Sequence, residues 1–112
     1  VEASELAIYP YTNYQLHISD IDIHPGTKNC ELNIKTNMPV MVQVIYGQNY
    51  EFLYDKKLSS VYTSLEVGKD HKIILENLEP ETTYCFQVKA LDYNNQTINS
   101  DFTVFTTRAK PI

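Results

Sequence analysis

Asp20, Asp22 and His24 alternate near the start of the chain. On an extended strand every second residue points the same way, so these three share a face. Carboxylates and imidazole are ligand types for a divalent cation. The polar side of a half-buried strand has the same composition, and that plainer reading is preferred, so no metal or cofactor is expected. His17 and His71 have no partner nearby in sequence and are expected at the surface or at sheet edges.

Nucleophilic catalysis would need a Ser or Cys activated by His and oriented by a carboxylate. No nucleophile-elbow pattern is present, and the Ser residues sit in loop-like stretches. Carboxylates are plentiful, but nothing marks a cleft between two of them. Phosphate-cradling glycine loops are absent. The chain is therefore read as non-catalytic, with any catalytic domain lying in another part of a larger protein. The nine tyrosines are the notable excess. Tyr9, Tyr11 and Tyr14 cluster early, and Tyr50, Tyr54 and Tyr62 cluster in the middle. A phenol ring offers flat apolar area with a polar tip, which suits a sugar ring or another protein. Tyr50, Tyr54 and Tyr62 are the candidate ligand contacts. The competing and favoured reading packs the rings onto the edges of the fold or against a neighbouring domain.

These residues must be positioned by a chain of 112 residues, enough for one domain. At 43% hydrophobic it can build a core without metal or disulfide staples. The net charge of -5 comes from scattered acids, and no Lys/Arg cluster forms a basic stripe, so nucleic acid is excluded as a partner. No apolar run approaches the ~20 residues that cross a bilayer. The opening "VEASELAIYP" has neither the charged nor the apolar region of a signal peptide.

Short alternating runs rich in Val, Ile, Tyr, Phe and Thr favour strands. In "LHISDIDI", Leu16 and Ile18 share one parity and Ile21 and Ile23 the other, which implies a bulge or a switch between sheets. "CELNIKT" turns Cys30, Leu32 and Ile34 inward, "NMP" turns, and "VMVQVIYG" makes a third strand ended by Gly47. "NYEFLYDKKLSSVY" has partly helical spacing at Tyr50, Leu53, Tyr54, Leu58 and Val61, but its aromatics and Ser pair favour an edge strand and loop. "DHKIILENL" alternates Ile73 and Leu75, "YNNQTINS" is a polar hairpin loop, and "DFTVFTT" is the last strand. About seven strands with turns every 8–12 residues or so predict an all-β, two-sheet antiparallel sandwich with little or no helix.

A chain crossing between two sheets needs a fixed corner. In "LENLEPETTYCFQVKALD", Leu78 fills the core at the bend, Pro80 presets φ, and Thr82 and Thr83 can bond locally. Tyr84 opens the next strand, and its hydroxyl can reach back to an upstream backbone group, the logic of a tyrosine corner. This run resembles the corner and following strand of a fibronectin type III domain. "ISDIDI", "CELNIKTN", "VQVIYG" and "DFTVFTT" resemble other strands of that immunoglobulin-like fold, and "K-T-N" with "V-x-Y-G" is closest to the type appended to secreted bacterial hydrolases and surface proteins. The family usually carries a core Trp where this chain has Ile34, so Tyr46, Phe86 and Phe105 are expected to fill the core. The division is a lead-in at 1–15, the domain at 16–107 and an exit linker at 108–112.

Cys30 is in phase with Leu32 and should point inward, while Cys85 is out of phase with Tyr84 and Phe86 and should face outward. A disulfide between them is not expected. The resemblance implies a secreted or cell-surface, monomeric module whose partners are adjacent domains of the same polypeptide. It would act as a spacer or as a docking and stabilising domain. The alternative is a binding or adhesion module that takes polysaccharide or a cell-surface protein through exposed tyrosines. Asn95-Gln96-Thr97 is an N-glycosylation sequon, relevant in a eukaryotic secretory host.

Overall fold

The computed structural model describes residues 16–55, 59–92 and 96–111. Six strands and one short helix follow each other: β1 (Ile18–Pro25), β2 (Cys30–Gln48), α1 (Asn49–Tyr54), β3 (Ser60–Leu75), β4 (Thr83–Leu91), β5 (Thr97–Asn99) and β6 (Thr103–Thr106). All pairings are antiparallel.

The sandwich is built on one long ribbon, β2 against β3. Its register runs without a break from Cys30 with Leu75 to Lys35 with Asp70, and again from Val42 with Ser64 to Tyr46 with Ser60. Between these runs the register shifts twice, at Lys35/Val40 and at Val40/Val42. The first shift lies on Asn37-Met38-Pro39. Pro39 cannot donate to a ladder, so the pairing yields there. Buried Thr36 donates from Oγ1 to the carbonyl of Met38, at 2.8 Å. The expected turn at "NMP" is thus a corner inside an assigned strand, and β2 continues one residue past Gly47. One half of the ribbon pairs with β1, while the other half pairs with β4, which carries β5 and β6.

The two halves face each other across a single core. Cys30, Leu32, Ile34, Ile73 and Leu75 come from one layer, and Val40, Val42, Val44, Phe86, Val88 and Ala90 from the other. Strict alternation puts every second residue of each strand on this side. Phe86 and Phe105 are buried in the cluster and Tyr46 packs against it. Phe105 lies between Tyr84 (ring centroids 5.6 Å apart) and Phe86 (5.9 Å). The parity break in β1 is a register shift between Ile18 and Asp20, where Ser19 is left over and its Oγ donates to the Lys35 carbonyl at 3.1 Å.

Three expectations change. Residues 49–54 form α1 rather than an edge strand, and the edge strand lies further on, from Ser60. Phe52, outside the anticipated helical stripe, is the ring that α1 buries. Its ring lies beside Gly47, where a Cβ would touch it at an ordinary 3.6 Å but would crowd Cα of Ser59 at 3.3 Å. Thr97–Asn99, expected in a loop, pairs with Lys89–Leu91 as β5. Cys85 does stand on the face away from the core, opposite Gly47, yet it is buried. His71 is buried rather than exposed, because it shares the inward parity of Ile73 and Leu75.

Candidate functional site

Two regions concentrate unusual side-chain chemistry. The first is the corner before β4. Leu78 is buried, and its N–H donates to the Lys28 carbonyl at 2.9 Å. Asn77 and Glu81 adopt left-handed backbone, with φ of 61° and 49°. Asn tolerates that region, whereas for Glu it is uncommon. The Tyr84 hydroxyl accepts from the backbone N–H of Glu79 at 2.7 Å. Thr82 Oγ1 donates to the Pro80 carbonyl at 2.9 Å.

Thr107 completes the corner, and the sequence reading passed over it. It is buried, its Oγ1 accepts from the N–H of Thr82 at 2.9 Å, and it donates to the carbonyl of Glu79. Its N–H bonds to the Thr82 carbonyl at 3.0 Å, and the N–H of Arg108 bonds to the carbonyl of Gly26 at 2.8 Å. The usable signal was parity, since Thr107 is in phase with the core residue Phe105. The corner, the β1–β2 turn and the departing chain are therefore tied together at one end of the sandwich.

The second region is the outer face of the layer made by β4 and its partners. Phe52 and Phe102 meet edge to face, with centroids 5.5 Å apart and planes at 71°. Phe52 is buried, while Phe102, Val104 and Val61 remain exposed. Of the candidate contact tyrosines, Tyr50 lies on α1 and is 58% exposed, so its ring is accessible to a partner. Tyr62 sits opposite Val44 in the edge strand and is 39% exposed. Tyr54 closes α1, but its side chain lies outside the described residues, as do Tyr9, Tyr11, Tyr14 and Asn95. The structure joins Tyr50 and Tyr62 in no ring contact among the described residues.

The titratable groups explain themselves structurally. Burial pushes the Cys30 thiol from 9.0 up to about 11, against a weaker downward pull from a backbone hydrogen bond at His24. Burial also raises the Cys85 thiol. Both cysteines are free. Neither is a nucleophile at neutral pH, because the thiolate is the reactive form. On the outer face of the other layer, Asp22 stands beside Asn33, His24 beside Glu31, and Asn33 beside Lys72. The Glu31 carboxyl is held low first by the Asn33 amide at 3.0 Å, then by Lys72 at 3.7 Å and by His24. Among the described residues no three His, Cys, Asp or Glu side chains converge as a metal site would. Nε2 of His71 is buried without a hydrogen-bond partner among the described residues.

An open groove of about 490 Å³ runs between residues 17–21 and 98–101. An apolar hollow of about 100 Å³ lies between Pro39, Val40, Val67 and Leu91. Neither gathers several polar groups around an enclosed apolar space, as a small-molecule site does.

A family model described as "Interferon-alpha/beta receptor, fibronectin type III" matches residues 11–104. The chain belongs to this fibronectin type III family. No curated protein sequence matches it. Among solved structures, the FN1–FN3 domains of chicken CNTN1 superpose with a TM-score of 0.64 at 16% identity, over 81% of this chain and 31% of that one. The chain thus spans about a third of that three-domain segment. The fn3 domain of human contactin 1 gives 0.64 at 15% identity, covering 84% of this chain and 78% of the other. The FN5 domain of Drosophila Lar gives 0.60 at 17%, covering 83% and 96%. At these identities the likeness establishes the sandwich fold. Fibronectin type III domains are generally non-catalytic modules of multidomain proteins and are commonly extracellular. None of the described helices is long and apolar enough to cross a membrane. The matched family model is of a receptor, and the hydrolase-associated subtype expected from "K-T-N" and "V-x-Y-G" receives no support from it.

Proposed function

We propose that this fibronectin type III module is a secreted or cell-surface spacer that also docks and stabilises the adjacent domains of its own polypeptide. The observation that carries this is where the backbone joins and leaves the sandwich. His17 is held at one end of β1, where its carbonyl accepts from the N–H of Asn37 at 3.2 Å. Arg108 is held at the other end by Gly26. The eight residues of β1 separate the two points, which at ~3.3 Å per residue is about 26 Å. Both junctions are backbone hydrogen bonds, so neighbours would be held apart at fixed positions along the long strands.

The second reading, a protein- or carbohydrate-binding module, has its own support in the exposed Tyr50 ring and in the receptor description of the family. Affinity electrophoresis of the 112-residue chain through gels carrying soluble and insoluble polysaccharides separates the two. The spacer reading expects unretarded migration. Retardation that disappears in Tyr50→Ala and Tyr54→Ala would overturn it in favour of glycan binding.

A further inference from the structure

A strand at the edge of a sheet presents unpaired N–H and C=O groups, and folded proteins blunt such edges with charges, Pro, bulges or brevity. Among the described residues the sandwich has four edges, and three of them are blunted. β1 carries a bulge at Ser19, the exposed acids Asp20 and Asp22, and Pro25. β5 and β6 are only three and four residues long and are separated at residues 100–102. The second half of β3 carries exposed Asp70 and Lys72.

The fourth edge is the first half of β3, and it is not blunted. Residues 60–65 read Ser-Val-Tyr-Thr-Ser-Leu, with no charge, no Pro and no Gly. Val, Tyr and Thr favour strands. Its pairing to β2 runs from Ser60 to Ser64 without a shift, and among the described residues nothing pairs with its other side. Leu65 is 80% exposed and Val61 56% exposed, the first and third most exposed of the large apolar side chains described.

We propose that residues 61–65 pair antiparallel with the same residues of a second copy of this chain, about a two-fold axis at Thr63. Such an axis, perpendicular to the sheet, keeps like faces together. It sets Val61 of each copy opposite Leu65 of the other, Tyr62 opposite Ser64, and Thr63 opposite itself. The arrangement explains why two aliphatic side chains are left so open, since each would cover the other. It also places an uncharged stretch at the contact of a chain whose net charge is -5, so no like charges face each other. The two layers would join into one continuous sheet by main-chain hydrogen bonds, the mode of strand addition.

Sedimentation velocity of the 112-residue chain from about 10 μM to about 1 mM covers the range in which so short a pairing would show. The expected result is a concentration-dependent dimer. Thr63→Lys, which costs only the exposed bond from Gln43 (3.1 Å), should raise its Kd at least about tenfold by setting like charges face to face. Mixing Thr63→Lys with Thr63→Glu chains should restore association, and circular dichroism should show both variants folded. A monomer at the highest concentration overturns the proposal. So does a dimer whose Kd Thr63→Lys leaves unmoved, or a mixture that stays dissociated. Protection from hydrogen exchange, in a monomer, of those amides in 61–65 that point away from β2 would show the edge covered by this chain's own remaining residues, and would also overturn it.

Discussion

Replacing Tyr84 by Phe removes one atom from the corner and leaves the ring. That ring is 5% exposed and stacks on Phe105 with planes at 19°, so hydrophobic burial and the aromatic contact survive. What is lost is the 2.7 Å bond to the N–H of Glu79. The stranded group is a donor on the backbone, which cannot move away without disturbing Leu78 beside it. A hydrogen bond contributes about 1 kcal/mol net, and a buried donor left without a partner costs about 1–3 kcal/mol. The Glu79 side chain is exposed, so water can partly reach this N–H, which places the loss at about 1–2 kcal/mol. In urea the midpoint should fall with the m-value unchanged. In a thermal melt the loss is worth roughly 4–8 °C at about 4 °C per kcal/mol for a domain of this size. The companion variant is Thr107→Val, whose hydroxyl holds the carbonyl of the same Glu79. Two substitutions that release the same residue, one at its N–H and one at its carbonyl, should not add, and the double variant should lose less than the sum of the singles. An unchanged midpoint for Tyr84→Phe, or strict additivity with Thr107→Val, would refute the assignment of a hydrogen-bonded corner.

Gly47→Ala should destabilise by about 1–3 kcal/mol by forcing the backbone at Ser59 away from β2, 3.3 Å from the new Cβ; a chemical denaturation curve superimposable on the parent's would contradict this. Cys30 binds its proton more tightly folded than unfolded, so its contribution is complete below about pH 9 and is lost as pH rises from 9.0 towards about 11. Thermal melts over that window should fall less steeply in Cys30→Ala than in the parent, and parallel curves would show that this thiol is not the titrating group.

The sandwich was legible because its evidence is periodic. Leu32, Ile34, Val42, Val44, Phe86 and Val88 each declare a face by alternation, and all are buried. The parity break in β1 was equally readable, and of the bulge and the sheet switch that it allowed, the structure has the bulge. The errors occur where tertiary packing overrides local pattern. Nothing next to Phe52 in sequence reveals that its ring would lie beside Gly47 and meet Phe102. The burial of Cys85 was not readable either, because a parity argument predicts the face of a sheet and not what later covers it. Thr97–Asn99 was hidden by its polar composition, which an edge strand at a solvated face tolerates. Of the candidate contacts, the exposure of Tyr50 could not be read from the sequence, since a helix one and a half turns long has too few residues to fix a buried side.

The corner at Asn37-Met38-Pro39 has a kinetic consequence. Because β2 and β3 form one ribbon closed near α1, the pair nearest that closure, Tyr46 with Ser60, is close in sequence, while Cys30 with Leu75 is remote. A ribbon of this kind can zip outward from its closed end, each new rung reaching only a little further than the last, so the cost of closing a long loop is spread over many small steps. In that order the two layers would form by doubling an existing ribbon over at residues 36–40, rather than by the chance meeting of two separate sheets.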